Sequence, residues 1–231
     1  MFSAQPLRCF PRQHDSRYRQ RIEPMSTQPP PLPRRPRAAI LALCGLLSAT
    51  AAHAAMPVTA ADIQGQGATL HAEFAYDPGQ RGLRVSYRLR NTGDAPLAVF
   101  DRGDRHRARI GRQTLGAVAS PALVERDGDV ELVHAARPLS VPAPTSPPTP
   151  LAMKLAPGAT LAGRFEIQLW SKAEPKRLRW CLGVMPFEAS LFHAPAETAD
   201  GEVWSASFSA ADTQQMLCTP WFDVAKGAFA A

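Results

Sequence analysis

This 231-residue sequence lacks an apolar run long enough to cross a membrane. The longest uncharged apolar run spans residues 38–52, whereas a helix needs about 20 residues to span the hydrocarbon core. Three arginines within residues 34–37 precede this run, and an Ala-x-Ala sequence ending at Ala54 follows it. A basic segment, an apolar segment and a small-residue cleavage site, in that order, are typical of a secretory signal. We therefore expect export, with cleavage after Ala54.

The expected division of the chain follows from that cleavage point. Residues 1–54 form a leader, and residues 55–231 form one mature domain of ordinary size. Residues 1–24 show no periodicity, and Met25 opens a segment of normal signal length. The sequence leaves open whether translation starts at Met1 or at Met25.

An excess of positive charge is missing from the mature part. The whole chain carries a net charge of +6, but residues 1–54 hold eight Lys and Arg against two Asp and Glu, which leaves 18 of each sign beyond them. A domain with balanced charge does not present the electrostatic surface that nucleic-acid binding requires. We expect no nucleic-acid partner.

Cysteine is scarce. Only Cys181 and Cys218, two of four cysteines, lie in the mature part. A lone pair in an exported chain predicts a disulfide, which here would close a 37-residue loop. A thiolate metal site is the alternative, but the C-x-x-C spacing typical of such sites is absent.

Recognisable catalytic motifs are also missing. The mature part contains no G-x-S-x-G elbow, no H-E-x-x-H helix and no phosphate-binding glycine loop. We therefore expect a non-catalytic protein without a cofactor. A hydrolase of unfamiliar type, using Asp101 or His106, is one alternative.

Helical periodicity is rare, whereas alternation of apolar and polar residues is common. In LRVSYRLR, for example, Leu83, Val85, Tyr87 and Leu89 share one face, which is typical of a half-buried antiparallel strand. Asp127-Gly128 separates two short runs and favours a hairpin turn. The predicted strands are LHAEFAY, LRVSYRLR, LAVF, ALVER, DVELVH, TLAGRFEIQLW, RLRWCLGVM and EVWSASF.

These patterns predict an all-β protein, an antiparallel β-sandwich of about seven to eight strands. One short helix is predicted near the C-terminus at SAADTQQML, where Ser209 and Asp212 have capping-box spacing. Residues 138–150 carry six prolines and are expected to form an extended crossing or an exposed loop, because proline donates no ladder hydrogen bond. A polyproline ligand for a partner is the alternative reading of that segment.

LRVSYRLRNTGDAPLAVF, followed by LAPGATLAGRF, resembles the strand, Asn-x-Gly turn, strand and later Pro-Gly turn of immunoglobulin-like modules in secreted bacterial proteins. The layout is similar to that of BsuPI-type proteinase inhibitor domains and, more distantly, of the first domain of periplasmic pilus chaperones. It covers Leu70 to Leu169. The resemblance implies an immunoglobulin-like fold and a protein-binding role without catalytic residues.

Two segments depart from that layout. The stretch between Phe100 and Ala122 is longer and more basic than a simple strand connection, and the tail after Cys181 has no counterpart. Pilus chaperones also carry an Arg and Lys pair that anchors the C-terminal end of the pilin they bind, and no such pair is assigned here.

The basic stretch contains the candidate contact residues. Asp101, Asp104 and His106 lie among several arginines, which predicts a solvated loop whose charges pair with one another. The alternative is an anion or partner contact, because a guanidinium group suits phosphate or carboxylate. The arginines concerned are Arg102, Arg105, Arg107, Arg109 and Arg112.

The sequence therefore predicts a soluble periplasmic accessory protein that binds a protein or envelope component. Trp221 and Phe222 are the candidate interface aromatics. A copper or zinc carrier is the other alternative, but the soft ligands lie singly along the chain, so no metal-binding residues are assigned. Those ligands are His134, His193, Met153, Met185 and Met216.

Overall fold

Two β-sheets packed against each other make up most of the structure. The computed structural model describes residues 58–170 and 174–230, so the predicted leader lies outside the described residues. In chain order the strands are β1 Val58–Gly65, β2 Ala68–Asp77, β3 Gly82–Asn91, β4 Leu97–Val99, β5 Ala122–Arg126, β6 Asp129–His134, β7 Leu151–Leu155, β8 Thr160–Gln168, β9 Arg177–Pro186, β10 Phe192–Thr198, β11 Gly201–Ala206, β12 Gln215–Cys218, β13 Phe222–Asp223 and β14 Ala228–Phe229. The predicted all-β sandwich is confirmed.

The first sheet has the antiparallel order β1-β2-β3-β8. Apolar and polar residues alternate along its strands. In β3, Leu83, Val85 and Leu89 are fully buried, while the arginines between them are exposed. A strand with one apolar face must bury that face against another layer. The first sheet therefore covers the second and leaves a charged outer face.

The second sheet is built around β9. β4 and β6 pair with one edge of β9, and β12 and β13 pair with the other. β6 runs parallel to β9, and the other pairings are antiparallel. β7, β11 and β10 extend the sheet beyond β4. Because β9 is enclosed on both edges and covered on its inner face, most of its residues are buried.

The hairpin of β5 and β6 turns at Asp127 and Gly128, as predicted. Both residues have positive φ, 54° and 89°, which is the backbone geometry of a type I′ turn. Arg126 then pairs with Asp129, and Leu123 pairs with Leu132. The turn therefore sets which side chains of β5 face the interior.

The described residues hold more strands than predicted. β4 corresponds to the predicted strand LAVF, whereas β7 is short and largely buried and shows no alternation for the sequence to reveal. The predicted short C-terminal helix is present but ends earlier than predicted: α2 spans only Ala210–Thr213, and Gln215–Cys218 pairs with β9 instead. Ser209 makes no side-chain capping bond. Tertiary pairing thus overrides the local helical pattern.

Two helical segments were not predicted, α1 at Arg105–Arg109 and a 3-10 turn at Ala189–Leu191. The proline-rich residues 138–150 lie outside the named strands, as expected, and Val141 within them is 97% exposed. No helix in the described part of the chain is long and apolar enough to span a membrane.

Trp180 of β9 joins the two sheets at the centre of the core. Its ring centroid lies 4.8 Å from that of Tyr87 on β3 and 5.5 Å from that of Phe165 on β8. Its side chain has no exposed surface. Burying an aromatic ring of this size stabilises a fold strongly, since the hydrophobic contribution is about 25 cal/mol per Å². Trp180 therefore holds β9 against the first sheet.

The predicted disulfide is present. Cys181 of β9 and Cys218 of β12 are bonded, and they are direct partners in the strand pairing. The bridge ties the C-terminal segment to the central strand.

We expect the disulfide to contribute substantially to stability. Replacing both cysteines, Cys181→Ser with Cys218→Ser, should lower the free energy of unfolding by about 4 kcal/mol, because the bridge restricts a loop of this length in the unfolded chain. Urea denaturation of residues 55–231, oxidised and after reduction, measures the effect. Equal midpoints for the oxidised protein and the double variant would contradict it.

Candidate binding site

The basic stretch after β4 is divided between the interior and the surface. Phe100 N donates to Gly183 O at 3.0 Å and Ala119 N donates to Asp101 O at 2.9 Å, so the chain continues beside β9 before it leaves the sandwich. α1 then begins after Asp104, whose Oδ1 accepts a hydrogen bond from Arg107 N at 2.9 Å. The first residues of the stretch therefore face the core, and those of α1 face solvent.

The expectation of a solvated loop is wrong for its first two charged residues, although they do pair with each other as expected. Asp101 is 0% exposed and Arg102 is 1% exposed. Their position next to β9 places both side chains in the interior, a consequence of tertiary pairing that local composition did not indicate. Arg102 is consequently not a surface contact for an anion or a partner.

Asp101, Arg102 and Tyr87 form a buried polar cluster. Tyr87 Oη donates to Asp101 Oδ2 at 2.5 Å, and Arg102 Nη1 lies 3.4 Å from the same oxygen. Burial, reinforced by the Asp101 carboxylate, raises the pKa of Tyr87 above its ordinary value. Within the described part of the chain, Asp101 Oδ1 and Arg102 Nε make no hydrogen bond. The cluster is therefore held by one hydrogen bond and one ion pair.

His134 lies beside that cluster and is neutral. Trp180 Nε1 donates to His134 Nδ1 at 3.1 Å, which makes Nδ1 an acceptor. His134 Nε2 lies 2.8 Å from Ala119 O and must therefore be the donor. Burial lowers the pKa of His134, and it outweighs the opposing effect of the Ala119 carbonyl. Both ring nitrogens are occupied, so His134 is not free to bind a metal.

The remaining arginines of the stretch differ in what they contact. Arg105 Nη1 donates to Ser205 Oγ at 2.6 Å, and Arg107 Nε lies 3.4 Å from Asp104 Oδ2. Arg109 and Arg112 are exposed and have no ion-pair partner among the described residues. Four of the five candidate arginines thus reach the surface, but they do not converge on one point.

A groove of about 240 Å³ lies between α1, the N-terminal end of β5 and the proline-rich segment. His106 and Arg107 line it from α1, and Arg137 lines it from the residues after β6. The other lining residues are Phe100, Gly103, Asp104, Ser120, Pro121, Ala122, Val133, His134, Ala135, Pro148 and Pro150. The groove therefore combines an apolar floor with a polar rim.

The rim of this groove favours an anion. Asp104 is the one carboxylate in its lining, and it is already committed to the α1 backbone and to Arg107. Arg137 is exposed and has no described partner. The guanidinium of Arg137 is thus available, and that of Arg107 is only partly neutralised by Asp104. A carboxylate or phosphate group suits such a rim.

The two candidate interface aromatics occupy different environments. Phe222 is 3% exposed and its ring packs against Phe74 at 5.9 Å, so its assignment to an interface is wrong. Trp221 is partly exposed, but the guanidinium groups of Arg177 and Arg179 lie 5.1 and 4.5 Å from its ring centroid. Phe222 belongs to β13 and joins the core, whereas Trp221 lies just before that strand.

The structure does not bring the candidate catalytic groups together. Asp101 is enclosed with Tyr87, whereas His106 lines the groove on α1. Among the described residues, no group of three or more His, Cys, Asp or Glu side chains is placed to hold a metal ion. Asp101 and His106 therefore do not share one site, and the arginines that line the groove suit an anion.

Sequence reasoning missed Arg137 and the role of His134. His134 continues the buried alternation of Val130 and Leu132 in β6, a signal that would have placed it in the core. Arg137 carries no comparable signal, because only the folded chain brings it opposite α1.

Comparison with known proteins adds no relative: no family model, curated protein or solved structure matches this chain.

Removing the buried Asp101 carboxylate should destabilise the protein. In Asp101→Ala, Arg102 remains buried without its counter-charge, which is expected to lower the free energy of unfolding by about 3–5 kcal/mol. Replacing both, Asp101→Leu with Arg102→Met, should recover much of this loss, since no charge is then buried. Urea denaturation measures each variant. The exposed Glu188→Ala is the control, and an Asp101→Ala effect no larger than that of the control would refute the cluster's role.

Stability should fall on acidification because of His134. Its pKa is lower in the folded than in the unfolded protein, so its contribution is complete above about pH 6.5 and is lost as the pH falls towards the folded value. The slope is at most about 1.4 kcal/mol per pH unit. His134→Gln, which keeps a donor and an acceptor, should flatten the pH dependence between pH 7.5 and 5. Unchanged slopes in urea denaturation would count against this assignment.

Proposed function

We propose that this protein is a non-catalytic periplasmic binding protein that holds an acidic group of a protein or envelope partner in the groove beside α1. The observation that carries the proposal is the groove's charge. Arg137 and Arg107 line it, and Asp104, its one carboxylate, is already engaged. A desolvated carboxylate or phosphate is stabilised by guanidinium donors of this kind.

Two observations support the periplasmic location. The sequence carries the basic, apolar and small-residue segments of a secretory signal before Ala54. The Cys181–Cys218 disulfide is also compatible with an oxidising compartment.

The surface around the groove supports a protein partner. Ile110 and Leu115, in the segment that follows α1, are 49% and 41% exposed. Arg109, the last residue of α1, and Arg112 in the same segment are exposed as well. Apolar side chains interspersed with arginine are typical of protein interfaces, where arginine is enriched. The immunoglobulin-like layout expected from Leu70 to Leu169 fits the same role.

A labelled hexaglutamate peptide tests the groove. Residues 55–231 should bind it in fluorescence anisotropy, and Arg137→Glu should weaken binding at least tenfold because it places a carboxylate on the rim. Salt should weaken binding in both proteins, since the contact is electrostatic.

Arg109→Glu is the matched control, because Arg109 belongs to α1 beside the groove and is exposed but does not line the groove. Both variants change the net charge equally. If both variants lost the same affinity for the peptide, the peptide would be responding to overall charge alone, which would contradict the proposal. An absence of binding to the unaltered protein would also contradict it.

A further inference from the structure

The edge strands of the two sheets differ in how well they are protected against pairing with a further strand. Beside β1, Thr59 Oγ1 donates to Gly227 O and Gln66 N donates to Gln215 Oε1, so C-terminal segments cover that side. β10 carries Pro195 and a register shift between His193 and Ala196. Coverage, proline and bulges are the usual means of blocking addition of another strand.

Within residues 58–170 and 174–230, nothing of this kind protects the outer edge of β8. β8 pairs with β3 alone over nine residues and contains no proline. Ala159 O accepts from Asn91 N, and Leu169 N donates to Arg81 O, so odd-numbered residues of β8 bond to the β3 side. The backbone groups of the even-numbered residues therefore point away from the sheet. These residues are Thr160, Ala162, Arg164, Glu166 and Gln168.

β5 projects beyond this open edge. Trp180 of β9 contacts rings on both β3 and β8, and His134 of β6 lies 4.9 Å from Phe165 of β8, measured between ring centroids. β6 therefore lies opposite β8. Because β5 is the next strand outward from β6, it lies past the last strand of the first sheet.

Side-chain exposure shows that the inner face of β5 is uncovered. Leu123 pairs with Leu132 and shares its face, yet Leu132 is 0% exposed and Leu123 is 45% exposed. Glu125, the next residue on this face, is exposed as well. The inner face of β5 and the free edge of β8 together define a space one strand wide, which we call the shelf.

An exposed aromatic lies at one end of the shelf. Trp170 follows β8 and is 86% exposed. Tryptophan supplies a large apolar area at low entropic cost and is enriched where partners bind. A strand paired to β8 would pass close to this end of the edge.

The shelf admits one strand and excludes a second sandwich. Two copies paired through antiparallel β8 strands are related by a twofold axis perpendicular to the sheet. Their second sheets would then lie on the same side, and β5 of one copy would occupy the position of β6 of the other. An extended segment of a different protein has no second sheet and meets no such obstacle.

Charge on the outer face of the first sheet indicates which side chains a segment paired with β8 should carry. Arg84 Nη2 contacts Glu166 Oε1 at 2.7 Å, which neutralises the one acidic residue of β8. Arg88, Arg90 and Arg164 have no ion-pair partner among the described residues. Arg164 stands on the free edge strand itself, so an incoming strand would place a side chain directly beside it.

We propose that the β8 edge accepts, by strand addition, an extended segment of a partner protein with alternating apolar and acidic residues. Its apolar side chains face Leu123 beneath β5, and its acidic side chains face Arg164. This inference rests on the proposed function in assigning a protein partner, but it uses a surface separate from the α1 groove.

The probe is a labelled nine-residue peptide of alternating Val and Glu, beginning and ending with Val. Fluorescence anisotropy should detect binding to residues 55–231, with the matching Val and Lys peptide binding at least tenfold more weakly. Hydrogen exchange should show protection gained at the even-numbered amides of β8, from Thr160 to Gln168. Absence of that alternating protection overturns the proposal.

Three variants locate the contact. Ala162→Pro removes an outward N–H that has no partner within the sheet, and it should weaken binding at least tenfold. Leu123→Asp should do the same without touching β8, which keeps the test valid if the proline variant fails to fold. Arg164→Glu should reverse the preference from the Glu to the Lys peptide.

Leu115→Asp is the matched control, since Leu115 is 41% exposed but lies elsewhere. Equal weakening by Leu115→Asp and Leu123→Asp overturns the proposal. A dimer in sedimentation that Ala162→Pro abolishes would identify a second copy as the occupant and also overturn it. Arg137→Glu should leave this peptide's binding unchanged, so failure at the groove and failure at β8 remain distinguishable.

Discussion

The burial of Trp180 between the two sheets is the contact on which the rest of this structure depends. Its ring packs on Tyr87 and Phe165, and its indole nitrogen donates to His134. It therefore places β9 opposite the first sheet. Every strand that pairs with β9 then takes its position from that contact, including β6, which supplies His134 to the same cluster.

The candidate groove and the free edge both follow from that arrangement. Because the chain after β4 runs beside β9, Asp101 and Arg102 are drawn inside and α1 emerges opposite Arg137. Because β6 lies over β8, the hairpin's outer strand extends past the first sheet. One sandwich thus presents a cationic groove at one end of β5 and an unpaired edge beneath it. The proposed recognition of an acidic partner rests on these two features.

Much of the fold could be predicted because its strongest strands have one buried face. Alternation in β2, β3 and β8 is visible in the sequence, and Asp127-Gly128 identifies the hairpin turn. β4 was predicted as LAVF from the turn before it, but β7 was missed, since a short strand buried among others carries no alternation. The candidate site was harder to predict from the sequence than the fold. Local composition indicated a solvated arginine loop, whereas pairing beside β9 decided which of its residues are buried.

By itself the sequence determined the all-β class, the main strands, the turn of the hairpin and the cysteine pair that forms the disulfide. These properties are local, or they follow from which residues avoid water. The tertiary structure alone decided that Arg102 is internal, that Arg137 joins the groove, and that β5 overhangs β8. These depend on which strands become neighbours, and that choice is made by the packing of distant side chains around Trp180.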